Sequence, residues 1–310
     1  MTAALRTSVA GIEFANPVLL ASGTAGYGRE LAGVIDLDRI GGFVTKAVSP
    51  EPRHGNDAPR VWDFDGGMIN AVGLANPGLE SVRSEALPWI AQHVRSARVL
   101  VNVVGRSVED FAEVVAGLDA SPGFQGFELN VSCPNTSKGG LEFGADPEAL
   151  RALVAGARLV TAKPIFVKLS PMLADVVGTA RAAVESGADG LTLFNTMPGL
   201  VVDTGVRRPV LGFGSGGVSG PALLPVAALA TWRVTQALPG VPVIGTGGVS
   251  TTDHALQLIL AGASLVALGT ASLADPHAAA RIVRGLARWC EEQGVAHLAD
   301  VRGTLQWPVQ

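Results

Sequence analysis

The feature that most constrains this chain is a pattern repeated along its length. A short, β-rich apolar run ends in polar or glycine residues, and a helical segment follows. The runs are Val18–Ala21, Gly42–Thr45, Val99–Val104, Gly126–Leu129, Ile165–Leu169, Gly190–Phe194, Val243–Gly245 and Leu265–Leu268, eight in all. Strands buried on both faces of a parallel sheet read as such runs rather than as alternation. Helical stretches are expected at Leu79–His93, Ser107–Leu118, Pro147–Val160, Val176–Ser186, Pro221–Gln236, Thr252–Ala261 and Pro276–Glu292. Caps and first-turn prolines at Asp146-Pro147, Gly220-Pro221 and Asp275-Pro276 mark three of their starts. Eight such units in series predict an α/β fold, a closed (β/α)8 TIM barrel, with an open doubly wound sheet as the alternative. A weakly alternating stretch, Thr7–Phe14, predicts a short N-terminal hairpin around Ala10-Gly11. No low-complexity linker interrupts the 310 residues, so one barrel domain over 1–310 is expected.

Hydrophobic residues at 48% against 16% charged supply a large core. The formal charge of −4 argues against a general nucleic-acid or membrane-surface binder, which would show a basic face. Two cysteines, Cys133 and Cys290, are too few for a disulfide framework or for the usual four thiolates of an iron–sulfur cluster. The histidines His54, His93, His254, His277 and His297 show no ligand spacing, so no metal site is expected. Long uncharged stretches at Pro209–Trp232 and Ala255–Ala274 are broken by glycines or prolines and read as buried elements, not membrane spans. With no secretory signal visible, a cytoplasmic protein is expected.

A barrel carries its chemistry at the carboxyl ends of its strands. The residues there are, in order, Ser22-Gly23, Lys46, Asn102, Asn130, Lys168, Asn195-Thr196, Gly247-Gly248 and Gly269-Thr270. One lysine in such a place is ordinarily a solvated tip. Two lysines and three asparagines around one ring point to a binding site. The glycine turns after the last two runs each lead into a helix, where free N–H groups suit a phosphate. A side-chain amide offers a donor and an acceptor, matching the edge of a cyclic imide such as a pyrimidine or a flavin. Lys168 is a fixed cation suited to a reduced flavin's anion, and Lys46 to a substrate carboxylate. Two connections, Ala47–Pro77 and Thr196–Ser219, are too long for plain turns and are expected to cover the active face; the first carries Asn70-Ala71-Val72-Gly73-Leu74. The run Gly212–Gly217 matches GxGxxG but follows no strand end and has no acidic residue about 20 positions on, so it is not a dinucleotide fingerprint. Cys133 follows the fourth run in Phe127–Gly140. Taken alone it reads equally as a buried packing residue or as a base beside an amide-rich substrate. Cys290, late in the terminal helix, reads as packing.

Ala21-Ser22-Gly23, Thr45-Lys46, Asn70 to Gly78, Glu128 to Asn135, Val167 to Ser170, Asn195-Thr196, Gly217 to Pro221, Gly247-Gly248 and Gly269-Thr270 together resemble the dihydroorotate dehydrogenase family over nearly the whole chain. The resemblance implies an enzyme with one FMN per chain that oxidises dihydroorotate to orotate in pyrimidine synthesis. By it, FMN contacts Ser22, Lys46, Ala47, Asn102, Asn130, Lys168, Phe194, Gly220, Gly247, Gly248, Gly269 and Thr270. Substrate meets Lys46, Asn70, Ala71, Val72, Gly73, Leu74, Asn130, Asn195 and Thr196, and Cys133 is the base. A cysteine base is similar to the soluble class 1 enzymes. The wording Asn195 to Gly199 and Gly217 to Pro221 is similar to the NAD-linked class 1B; Met197-Pro198 and Gly212–Gly217 are looser than its usual pattern. Class 1B implies a second subunit carrying FAD and a [2Fe–2S] cluster, in a heterotetramer of two catalytic and two electron-transfer chains. The alternatives are a homodimeric, fumarate-using class 1A enzyme and a flavin-free phosphate-binding barrel.

Overall fold

The computed structural model describes residues 3–132, 134–135 and 141–308, with backbone alone at 3, 134, 135, 141 and 142. Eight parallel strands form a closed barrel: β1 (Val18–Leu20), β2 (Gly42–Val44), β3 (Arg98–Val103), β4 (Gly126–Asn130), β5 (Ile165–Lys168), β6 (Gly190–Leu193), β7 (Val243–Thr246) and β8 (Leu265–Leu268). Each pairs with the next, and β8 returns to β1 through Val266 opposite Val18 and Leu268 opposite Leu20. Closure rules out the open sheet. Around it stand α1 (Leu87–His93), α2 (Val108–Asp119), α3 (Pro147–Arg158), α4 (Val176–Glu185), α5 (Leu224–Ala237), α6 (Thr252–Leu260), α7 (Thr270–Ala274) and α8 (Ala278–Gln293).

Helix starts follow from their caps. Side-chain oxygens of Ser107, Asp146, Asp175 and Thr251 accept first-turn N–H groups of α2, α3, α4 and α6. Two starts and one helix interior differ from expectation. Asp275 accepts the His277 N–H, so Pro276 lies in the preceding turn and α8 begins at Ala278. Pro221 opens a 3-10 turn, Pro221–Leu223, ahead of α5. The segment expected as Leu79–His93 widens into a π turn at Val82–Ala86, just ahead of Pro88, whose ring nitrogen has no N–H for the Ser84 carbonyl.

The apolar runs serve two cores. Alternate residues such as Leu20, Phe43, Val101, Phe127, Val167 and Leu268 face the helices. Their neighbours Leu19, Val44, Leu100, Phe166, Ile244, Leu265 and Ala267 form an inner cluster with Val9, Ile12 and Phe14. Those last three belong to the expected N-terminal hairpin, Thr7–Val9 paired with Ile12–Phe14 across a left-handed turn at Ala10 and Gly11. Arg98, the first residue of β3, donates Nε–H to the Glu13 carbonyl at 2.8 Å, which places the hairpin at the amino end of the barrel. The hairpin therefore plugs that end, and the other end is left for chemistry.

At the carboxyl end the two long connections are not loose loops. Each contributes two strands to one antiparallel sheet, in the order Met197–Gly199, Gly216–Ser219, Gly67–Asn70, Val61–Phe64. Glycine and proline, weak strand formers, concealed these strands in the sequence. Gly216 and Gly217 of the GxGxxG match lie in the second strand, in keeping with its rejection as a fingerprint. No helix among the described residues is long and apolar enough to cross a membrane.

Candidate active site

Side chains two apart on a strand share a face, so the inner cluster dictates what stands above it. Above Leu100 comes Asn102, above Phe166 comes Lys168, above Ile244 comes Thr246 and above Val44 comes Lys46. Glu128 lies opposite Asn102 in register, and Asn130 opposite Lys168, which is also opposite Thr192. The apolar interior thus gives way to a polar layer at the strands' carboxyl ends. Asn102, Glu128, Asn130, Lys168, Thr192 and Thr246 are all buried there.

Hydrogen bonds fix this layer. Glu128 is 1% exposed and accepts from Asn102 Nδ2 at 2.7 Å and from Thr192 Oγ1 at 2.8 Å. Lys168 Nζ lies 3.7 Å from Glu128 Oε1. Because the carboxylate demands a donor, Asn102 turns its amide nitrogen inward; its Oδ1 is buried and has no hydrogen-bond partner among the described residues. Asn195 Nδ2 donates to Asn130 Oδ1 at 3.1 Å, and Asn195 Oδ1 accepts the Thr196 N–H at 2.8 Å. Beside them, Thr45 Oγ1 accepts the Asn102 N–H and donates to the Lys46 carbonyl. Among the described residues no carboxylate pairs with Lys46. Tyr27 donates its hydroxyl to the Ala47 carbonyl at 2.9 Å; burial, aided by the Glu30 charge, pushes the phenol pKa up and keeps it a donor.

The loop 70–74 is bracketed by two asparagines. Asn56 binds the carbonyls of Ala71 and Val72, and Asn76 donates to Leu74 O and Ser49 Oγ. Between them Gly73 and Leu74 take left-handed conformations, φ 73° and 56°. Asn70 Nδ2 donates to the Gly217 carbonyl at 3.2 Å, tying this loop to the other half of the sheet. On the opposite side, Thr270 Oγ1 donates to Ser219 Oγ at 2.7 Å. Gly248 has φ 79°, and a Cβ there would meet the Leu224 N at 2.6 Å, so only glycine lets this turn pack on the start of α5. Beside Gly23 and Gly269, at the ends of neighbouring strands β1 and β8, a Cβ would meet no described residue within 4 Å.

The profile of the dihydroorotate dehydrogenase family matches residues 4–289. The chain belongs to the dihydroorotate dehydrogenase family. Relatives named "Dihydroorotate dehydrogenase B (NAD(+)), catalytic subunit" include one from Pelobacter propionicus, 47% identical over 97% of this chain and 98% of its own length. Another, from Geotalea uraniireducens, is 45% identical over 97% of this chain and 98% of its own length. A relative from Solibacter usitatus, provisionally named dihydroorotate dehydrogenase A (fumarate), is 45% identical over 99% of this chain and all of its own length.

For a member of the dihydroorotate dehydrogenase family, the sequence-derived site residues are well gathered. Asn102, Asn130 and Lys168 lie at the carboxyl ends of barrel strands and Lys46, Asn195 and Thr196 two or three residues past them, and the sheet holding Asn70 extends from that same end. Phe194 is buried, with its N–H on the Thr246 carbonyl. Ser22, Gly220, Gly247, Gly248, Gly269 and Thr270 occupy turns or element starts at the same end. Cys133 lies outside the described residues, as does most of the segment following it. Cys290 is a buried residue of α8, and burial, with Glu291 adding, pushes its thiol pKa up. Sequence reasoning gave no role to Glu128, Thr192, Thr246 or Ser219. For Glu128 a signal existed: one acid inside an apolar strand run, two positions before Asn130 and so on its face.

Proposed function

We propose that the chain is a catalytic subunit that oxidises (S)-dihydroorotate to orotate in pyrimidine synthesis in the cytoplasm. The observation that carries this reading is the coincidence of a nearly full-length family match with a buried ring of amides and lysines at the barrel's carboxyl end. FMN fits that ring. Asn102 Oδ1 is a buried acceptor without a partner among the described residues, suited to an N–H of a cyclic imide, and the space those residues leave beside Gly23 and Gly269 admits a group against bare backbone. Asn102, Asn130 and Lys168 would hold the isoalloxazine, with Ser22, Lys46, Ala47, Phe194 and Gly220 around it. Gly247, Gly248, Gly269 and Thr270 would hold the phosphate. Bound FMN supplies a hydride acceptor.

In this reading Lys46 faces the substrate carboxylate, while Asn70 to Leu74, Asn130, Asn195 and Thr196 orient the ring. Cys133 removes the C5 proton as the C6 hydrogen departs as hydride. A free thiol has a pKa of about 8.5, so the rate is expected to rise into alkaline pH unless nearby cations depress it. The relatives named as catalytic subunits support a partner chain. We assign to that partner FAD and a [2Fe–2S] cluster passing electrons to NAD, in a two-plus-two heterotetramer. The fumarate-named relative at equal identity keeps direct fumarate reduction as a second reading.

The test is an absorbance spectrum of the purified chain before and after anaerobic dihydroorotate. A flavin spectrum that bleaches is expected; a bound flavin that stays oxidised moves the substrate elsewhere. Reoxidation of the reduced chain separates the acceptors. Rapid NAD reduction by this chain alone would overturn the need for a partner, and rapid fumarate reduction would establish the second reading.

A further inference from the structure

The mechanism above leaves one buried charged group without a role. Glu128 sits inside the barrel one layer beneath Asn130 and beneath the strand-end position of Lys168. It is not a surface ion pair: the two side chains are 1% and 7% exposed. Nor is it satisfied by the lysine alone, since Asn102 and Thr192 each donate to a different oxygen. Apolar residues lie beneath this layer, so burying a carboxylate there carries a desolvation cost that simple packing would avoid. Such a group suits tuning the charge at the strand ends.

We propose that Glu128 is a positioning residue, the buried counter-charge that holds the Lys168 ammonium at the strand end and limits the net positive field on the flavin. The inference rests on the FMN reading above. Its physical basis is a balance. Reduction of a flavin toward its anion is favoured by a nearby cation, and a carboxylate 3.7 Å from that cation offsets part of the effect. Asn102 links the two roles, since its amide nitrogen serves Glu128 while its Oδ1 remains for a ligand. Thr192 holds the second oxygen, so the carboxylate is fixed from β3 and β6 while Lys168 approaches from β5.

The test compares wild type with Glu128→Gln and Glu128→Asp in the flavin-loaded protein. A glutamine keeps both hydrogen bonds, because the Thr192 hydroxyl can turn to accept from the amide. The readouts are the flavin midpoint potential and the dissociation constant of inorganic sulfite, which gives a negatively charged adduct with oxidised flavin. E128Q is expected to raise the potential and tighten sulfite on the order of tenfold, the low end of the effect of one adjacent charge. E128D, which keeps the charge, is expected to stay close to wild type. Equal displacement of both variants, or of neither, overturns the proposal. A double-mutant cycle with Lys168→Gln is expected to show non-additive effects; strict additivity would remove Lys168 as the intermediary. If E128Q does not retain flavin, Thr192→Val weakens the hold on the carboxylate and is expected to move sulfite affinity the same way by less. No movement there overturns the proposal as well. Wild-type protein that binds no flavin would instead overturn the FMN reading itself.

Discussion

Replacing Lys168 by Met tests whether the charged pair inside the barrel is held as a unit. Both side chains are buried, with Nζ 3.7 Å from Glu128 Oε1. Removing one member of a buried pair costs about 3–5 kcal/mol, because the other charge is left without compensation. Glu128 keeps its hydrogen bonds from Asn102 and Thr192, so the lower end, about 3 kcal/mol, applies. Unfolding entropy of about 2.1 cal/mol/K per residue over 310 residues gives roughly 0.65 kcal/mol/K. The expected fall in Tm is then about 5 °C, read by scanning calorimetry of the purified chain. Adding Glu128→Gln to Lys168→Met is expected to recover most of the loss, since no uncompensated charge then remains. A single variant within about 1 °C of wild type, or a double variant less stable than the single, would refute the reasoning.

Cys133→Ala is expected to leave flavin bound and to slow its reduction by dihydroorotate at least about 100-fold at neutral pH, the scale of a lost general base; unchanged stopped-flow traces would remove Cys133 from the mechanism. Asn76→Ala deletes the bracket on Ser49 and Leu74, so KM for dihydroorotate is expected to rise about tenfold with flavin content unchanged, and an unaltered KM would separate this loop from the substrate. Asp38 offers a pH test. Burial alone would raise its pKa, but N–H donors of Ala97, Ser96 and Arg95 outweigh it and hold the pKa below the ordinary carboxylate value. The stability it supplies is complete above the unfolded pKa of about 3.9 and is lost as pH falls through the lower folded value. Asp38→Asn is therefore expected to cost about 1 kcal/mol in urea unfolding at pH 7, a modest figure for a partly solvated group, and progressively less in strong acid; a pH-independent gap would contradict the assignment.

The barrel was legible because its strands are buried on both faces and its helices carry their own caps. All eight expected apolar runs fall on barrel strands, and the Ser107, Asp146 and Thr251 caps mark helix starts close to those expected. What was hidden depends on partners far away in sequence. The strand Gly216–Ser219 reads as a glycine loop because its ladder is made by Gly67–Asn70 and Met197–Gly199, not by its own side chains. The site was legible where a polar residue ends an apolar run, as at Lys46, Asn130 and Lys168. Glu128 sits within such a run, where one acid looks like noise until register sets it opposite Asn102. Asn76 shows the converse: its Oδ1 accepts the Ser49 and Gly78 N–H groups and its Nδ2 donates to Ser49 Oγ and the Leu74 carbonyl, so its amide is engaged within the protein, although its sequence setting resembles that of Asn70.

The sheet shared by the two long connections also fixes an order of assembly. Asn70 and the Gly217 carbonyl it binds are 147 positions apart. A chain emerging from the ribosome therefore makes Gly67–Asn70 long before its partner Gly216–Ser219 exists, and β3 to β6 must be synthesised in between. Until then that strand has one open edge, the kind of surface that pairs with other chains. Such a distant closure is slow, because loop entropy must be overcome before the contact forms. The roof over the ring of amides and lysines is thus among the last parts to form, and a nascent chain halted before it can own most of a barrel without owning a site.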